Sequence, residues 1–114
     1  MLLDTNVVSE FAKPQGRINP GVARWAWDVD RERAHISAIT VEEISLGILR
    51  RSRRDRVQGG ALQRWFSEDV LEAFTGKVLA FDQAAALKAA ELQVARPRPV
   101  NDTRLAAIAL VHGL

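Results

Sequence analysis

Three carboxylates fall where a strand ends or a helix begins: Asp4 in Leu2-Leu3-Asp4-Thr5-Asn6, Glu43 in Thr40-Val41-Glu42-Glu43-Ile44, and Asp102 in Asn101-Asp102-Thr103-Arg104. Brought together, they would form an oxygen-only pocket. Like charges that close stay ionised only around a cation, and oxygen ligands select a hard one such as Mg2+. A cation held so can acidify water and stabilise charge on a phosphate, the chemistry of a metal-dependent nuclease.

Positioning those acids requires strands that end at one edge. Met1 to Asp4 reads as a short apolar strand, and Asp4-Thr5-Asn6 can cap a helix carrying Val7, Val8, Phe11 and Ala12. Lys13-Pro14 and Gly16 would end it, and Pro20 opens a second helix with Val22, Trp25, Ala26 and Val29 on one face. Ala34 to Ile39 is expected as the second strand, followed by a helix opened by Thr40 with Val41, Ile44 and Ile48 facing the core. Gly59-Gly60 is expected to punctuate before a helix built on Leu62, Trp65, Phe66 and Val70. Lys77 to Phe81 reads as the third strand, Asp82 as the cap of an alanine-rich helix to about Ala95, and Pro97 with Pro99 as a break. The last helix runs from Asp102 to His112, with Asn101 or Asp102 as its cap and Gly113 closing it. Strands alternating with helices imply an α/β fold with a parallel sheet covered on both faces, whose ligands gather beyond the carboxyl ends of the strands.

Composition agrees without deciding the function. The 114 residues suit a single domain, 1–114, with 47% hydrophobic and 26% charged residues and no internal repeat. Without cysteine there is neither a disulfide framework nor a zinc-thiolate site. No signal peptide or membrane-spanning run is evident, so a cytoplasmic location and no membrane partner are expected. The formal net charge of +2 hides an uneven distribution, because Arg50-Arg51-Ser52-Arg53-Arg54-Asp55-Arg56 packs cations into one run. Arg50 and Arg54 follow Glu43 by seven and eleven residues, close to one helical stripe. They are candidates for RNA phosphate contacts, against the alternative of a solvated helix surface on which Asp55 pairs locally.

Each acid also has a plainer reading. Asp4 could cap the helix that follows it, and Thr40-Val41-Glu42-Glu43 fits a capping box in which Glu43 reaches back to the Thr40 amide. Asp102 could itself be a cap. Thr5 and Asn6 are candidates to orient Asp4, and Gly47 clears space beside Glu43 for substrate backbone or a neighbouring helix. Asp82 reads as a cap alone. His35 and His112 lack metal-ligand spacing and read as structural, while Trp25 and Trp65 sit on apolar stripes, as core or interface anchors.

In these segments the chain resembles the PIN-domain ribonucleases, and among them the toxins of VapBC-type and FitAB-type toxin-antitoxin pairs. Leu2 to Glu10, Ser37 to Ile44 with Gly47, Gly76 to Asp82, and Asp102 with Leu105-Ala106-Ala107-Ile108-Ala109 and His112-Gly113-Leu114 occur in the family's order. The resemblance implies a three-layer α/β/α PIN-like fold with a short central parallel sheet. It implies a type II toxin that hydrolyses RNA with Mg2+, Mn2+ being an alternative, held by Asp4, Glu43 and Asp102, and it selects Asp102 as ligand, leaving Asn101 as the helix cap. It also implies a cognate antitoxin and a homodimer. PIN domains usually continue past the His-Gly-Leu segment into final strands with a further acid, whereas this chain stops at Leu114. The expectation is a C-terminally truncated domain with a less complete cleft. The competing reading is a catalytically weak PIN-like module that binds an antitoxin or RNA. A receiver-like phosphorelay domain is a third class, lacking a convincing lysine among Lys13, Lys77 and Lys88.

Overall fold

The computed structural model describes residues 1–10 and 33–114. The expected helix from Pro20, with Trp25, and the Phe11 to Gly16 helix end lie outside the described residues. Leu2 pairs in parallel with His35, with Leu3 N donating to His35 O at 2.8 Å and His35 N donating to Met1 O at 2.7 Å. Strand β1 (Ile36–Ser37) continues that central segment and pairs in parallel with β2 (Val78–Leu79), Ser37 opposite Leu79. All three segments therefore end at the same edge.

Side chains alternate across this short sheet and divide the core into two layers. Leu3, Ala34 and Ile36 pack with Val8, Ile44, Ile48, Phe66 and Val70 on one face. Leu2 and Leu79 pack with Ile39, Phe81, Ala85, Leu105 and Ile108 on the other. Ile36 and Ile108 are fully buried, each contributing about 1.5–3 kcal/mol through apolar burial. Helices over both faces make the α/β, three-layer arrangement expected of the sequence.

Four local expectations are corrected. First, α2 (Ala38–Arg54) starts two residues before Thr40, because Ser37 is its cap: the Ser37 hydroxyl accepts from Thr40 N at 3.0 Å. This shortens the second strand and leaves no capping box at Thr40 and Glu43. Second, Gly59 and Gly60 lie inside α3 (Arg56–Arg64); the break falls instead at Asp55, which has extended backbone and accepts from Gln58 N at 3.1 Å. Third, α3 runs without interruption into a wider π-helical stretch, Trp65–Leu71, in which Phe66 and Val70 are buried and the Trp65 ring lies 6.2 Å from that of Phe66. Fourth, α5 (Val100–Val111) begins after Pro99, so Asn101 is a first-turn residue rather than the cap.

The remaining ends follow local chemistry. Asp82 caps α4 (Gln83–Ala95), accepting from Ala85 N at 2.9 Å. Asp82→Ala is expected to cost about 1 kcal/mol and Asp82→Asn much less, readable as shifts in the urea unfolding midpoint; equal midpoints for wild type and alanine would remove the cap from the account. At the end of α5, Gly113 takes φ +71, and Leu114 N donates to Ala109 O at 2.8 Å while Gly113 N donates to Leu110 O at 3.2 Å. That paired geometry closes a helix through a left-handed residue, which favours glycine.

Candidate active site

Asp4 leaves the first strand segment and starts α1 (Thr5–Glu10) at once. Its backbone carbonyl accepts from Val7 N and Val8 N, and its Oδ1 accepts from Asn6 N at 2.5 Å. The capping role is thus real, but it occupies one carboxylate oxygen of an exposed side chain. Asn6 orients Asp4 through its backbone amide.

Thr5 does something different from the role expected of it. Its hydroxyl reaches across to α2, donating to Glu43 Oε1 at 2.8 Å and lying 3.0 Å from Thr40 Oγ1. Glu43, half-buried, is therefore turned toward the segment that follows Asp4, with Thr5 bridging it to Thr40 in the first turn of α2. Ile44 and Ile48 explain the orientation: burying that stripe in the first core layer fixes the rotation of α2 and places Glu43 beside the end of the first strand.

Asp102 is exposed in the first turn of α5, where a negative charge interacts favourably with the helix dipole. The neighbouring Thr103 is buried; its hydroxyl donates to Gln93 Oε1 at 2.8 Å, and Gln93 Nε2 donates to Arg98 O at 3.1 Å. These bonds hold the Pro97–Pro99 break and tie the α5 start to α4, while Ile108 of α5 packs with Ile39 of α2. The structure joins the Asp4 segment to Glu43. Among the described residues, however, no three His, Cys, Asp or Glu side chains are gathered as a set able to hold a metal ion. The donors are oxygen-only and match a hard divalent cation in kind.

The arginine run extends from this region. Arg50 and Arg54 share the unbroken α2 with Glu43, about 10 and 16 Å farther along its axis at about 1.5 Å per residue. Both are exposed and have no side-chain partner among the described residues. Arg51 is instead committed to Gln58 Oε1 through its Nε and a terminal guanidinium nitrogen. Asp55 is occupied as a cap, not as an arginine partner.

Other candidates resolve simply. A Cβ at Gly47 would meet nothing within 4 Å among the described residues, so no helix there demands the glycine. His35 Nδ1 is bonded to Arg33 O at 3.0 Å, and His112 is the C-cap of α5. Trp65 packs against the first core layer. Lys88 pairs with Glu91 at 3.1 Å on the surface of α4, which gives it no phosphorelay setting. Ser37, Thr40, Gln93 and Thr103 are site-supporting residues missed from sequence. The Ser37-x-x-Thr40-x-x-Glu43 spacing, two successive steps of three, was the available signal for the first two.

The model of the PIN domain family matches residues 1–114. The chain belongs to the PIN domain family. Within it, the chain is VapC-like and FitB-like. It is 44% identical over 73 residues to Ribonuclease VapC14 of Mycobacterium tuberculosis, covering 64% of this chain and 69% of that protein. It is 35% identical over 95 residues to Toxin FitB of Neisseria gonorrhoeae, covering 82% of this chain but 64% of FitB. VapC ribonuclease Y4jK of Sinorhizobium fredii is 33% identical, with 99% and 81% covered. Among solved structures, FitAcB from N. gonorrhoeae superposes with a TM-score of 0.88 at 31% identity, covering 99% of this chain and 82% of that one. FitAB bound to an IR36 DNA fragment gives 0.81 at 29% identity, with 99% and 80% covered. No helix among the described residues is long and apolar enough to cross a membrane.

Proposed function

We propose that this chain is a toxin-type endoribonuclease that cleaves RNA with Mg2+ or Mn2+ held by Asp4, Glu43 and Asp102. The observation carrying the proposal is the Thr5–Glu43 hydrogen bond, which ties Glu43 to the residue that follows Asp4. The ribonuclease and toxin names of the relatives support the same activity. A bound divalent cation would supply charge for the phosphate oxygens and acidify water at the site. The chain's own part is to supply the carboxylates, keep Glu43 aimed through Thr5, and hold the α5 start through Thr103 and Gln93. A bound cation would offset the repulsion among Asp4, Glu43 and Asp102, the three carboxylates that would hold it. The test is RNA cleavage by purified protein with Mg2+, with Mn2+, and with chelator; cleavage that ignores the chelator, or none with either metal, rejects it.

Arg50 and Arg54 continue the path for the RNA backbone. The double variant Arg50→Gln, Arg54→Gln is expected to weaken RNA binding and to reduce the slope of log affinity against log salt by about 1.4, the scale of two lost phosphate contacts on a single strand. An unchanged slope would return both arginines to the solvated surface. A cognate antitoxin as partner is supported by the FitAB likeness, and self-association belongs to the same proposal, tested by light scattering across protein concentration. The second reading, a catalytically weak module that binds RNA or an antitoxin, is favoured by the absence of a gathered three-acid set among the described residues. RNA binding without cation-dependent cleavage would select it.

A further inference from the structure

We infer that Ser37, Thr40 and Thr5 form a one-way chain of hydroxyl hydrogen bonds that fixes Glu43 for cation binding, with Thr40 as its central positioning residue. Ser37 Oγ lies 3.3 Å from Thr40 Oγ1, Thr40 Oγ1 lies 3.0 Å from Thr5 Oγ1, and Thr5 Oγ1 lies 2.8 Å from Glu43 Oε1. Each hydroxyl has one proton to donate and can accept others, so the order is set from its two ends. An ionised Glu43 can only accept, which commits the Thr5 proton to it. Thr5 must then accept from Thr40, and Thr40 in turn from Ser37. Ser37 accepts at the other end from Thr40 N at 3.0 Å, as the cap of α2. Every donor is used once.

Burial makes the chain rigid. Ser37 and Thr40 are both fully shielded from solvent, so neither hydroxyl can exchange its partner for water without loss. Among the described residues Glu43 Oε2 has no hydrogen-bond partner, so the chain fixes one oxygen and leaves the other available. Groups that hold ligating carboxylates in this way typically change metal affinity by about 10–100-fold when removed. The inference rests on the cation-dependent reading of the site. It adds that reading's dependence on two buried hydroxyls remote from the cation.

The experiment compares wild type, Thr40→Val and Thr40→Ser by calorimetric titration with Mn2+ alone, alongside RNA cleavage and circular dichroism. Valine keeps the volume and removes the hydroxyl; serine keeps the hydroxyl and removes a methyl. The expected result is a Kd for Mn2+ raised about tenfold or more by valine and restored to within about threefold by serine, with turnover following. Folded Thr40→Val with wild-type Mn2+ affinity overturns the inference, as does serine as damaging as valine, since packing would then be the cause. If valine fails to fold, Thr5→Val against Thr5→Ser makes the same comparison at the half-buried end of the chain. Wild type that binds no Mn2+ also overturns it. Wild type that binds Mn2+ in this hydroxyl-dependent way yet cleaves no RNA counts against the nuclease proposal and supports the positioning role.

Discussion

Asp4→Asn is expected to lower cation-dependent RNA cleavage by about two to three orders of magnitude, the scale of losing one preorganised electrostatic contact to developing charge. The substitution is informative because it separates the observed cap from the negative charge proposed to hold the cation. Asp4 Oδ1 accepts from Asn6 N and caps α1, and an asparagine carbonyl can make the same bond. The negative charge is what asparagine lacks. Stability should therefore stay close to wild type while activity collapses, whereas Asp4→Ala should lose activity and about 1 kcal/mol of stability together. Initial rates in Mg2+ and a thermal melt on the same preparations make the comparison. An Asp4→Asn variant that cleaves RNA at the wild-type rate would remove Asp4 from the site.

Gly59→Ala should be the most disruptive glycine-to-alanine change in the chain's described helices, through packing alone. A Cβ there would overlap Ser52 Oγ and sit 2.6 Å from Ser52 Cα. The second contact is with backbone, so no rotamer relieves it, and Ser52 Oγ is itself bonded to Ile48 O at 3.0 Å. The end of α2 and the start of α3 would have to separate, at a cost of about 2–3 kcal/mol for overpacking, or a melting temperature lower by about 10 °C. The neighbouring Gly60→Ala meets only Arg64 Nη1 at 3.7 Å and should be neutral or gain up to about 1 kcal/mol from helix propensity. Equal melting temperatures for the two variants would show that the α2–α3 approach is looser than described. The contact bears on the proposed function because α2 carries both Glu43 and the Arg50 to Arg54 face.

Much of the arrangement is readable from local patterns, each resting on interactions within a few residues. Asp4 after an apolar pair marks a strand end, Ile44 and Ile48 mark the buried face of α2, Asp82 marks the cap of α4, and Gly113 marks the close of α5. The order of acidic motifs likewise points to the family that the whole-chain match shows. Where two local solutions are nearly equal, the sequence cannot choose. Ser37 and Thr40 are both capable caps, and a strand through Ile39 is as good locally as a helix from Ala38. The choice is made by the sheet: Ser37 pairs with Leu79 as the last ladder position, and its hydroxyl then captures Thr40 N. That frees Glu43 from a capping box and lets Thr5, thirty-eight residues away, take its carboxylate. Gly59 reads as a break for the same reason, because its need for a bare Cα comes from Ser52 on another helix. Hydrogen bonds and clashes between distant segments leave no periodic trace in a sequence; they exist only once the two core layers have set how α1, α2 and α3 meet.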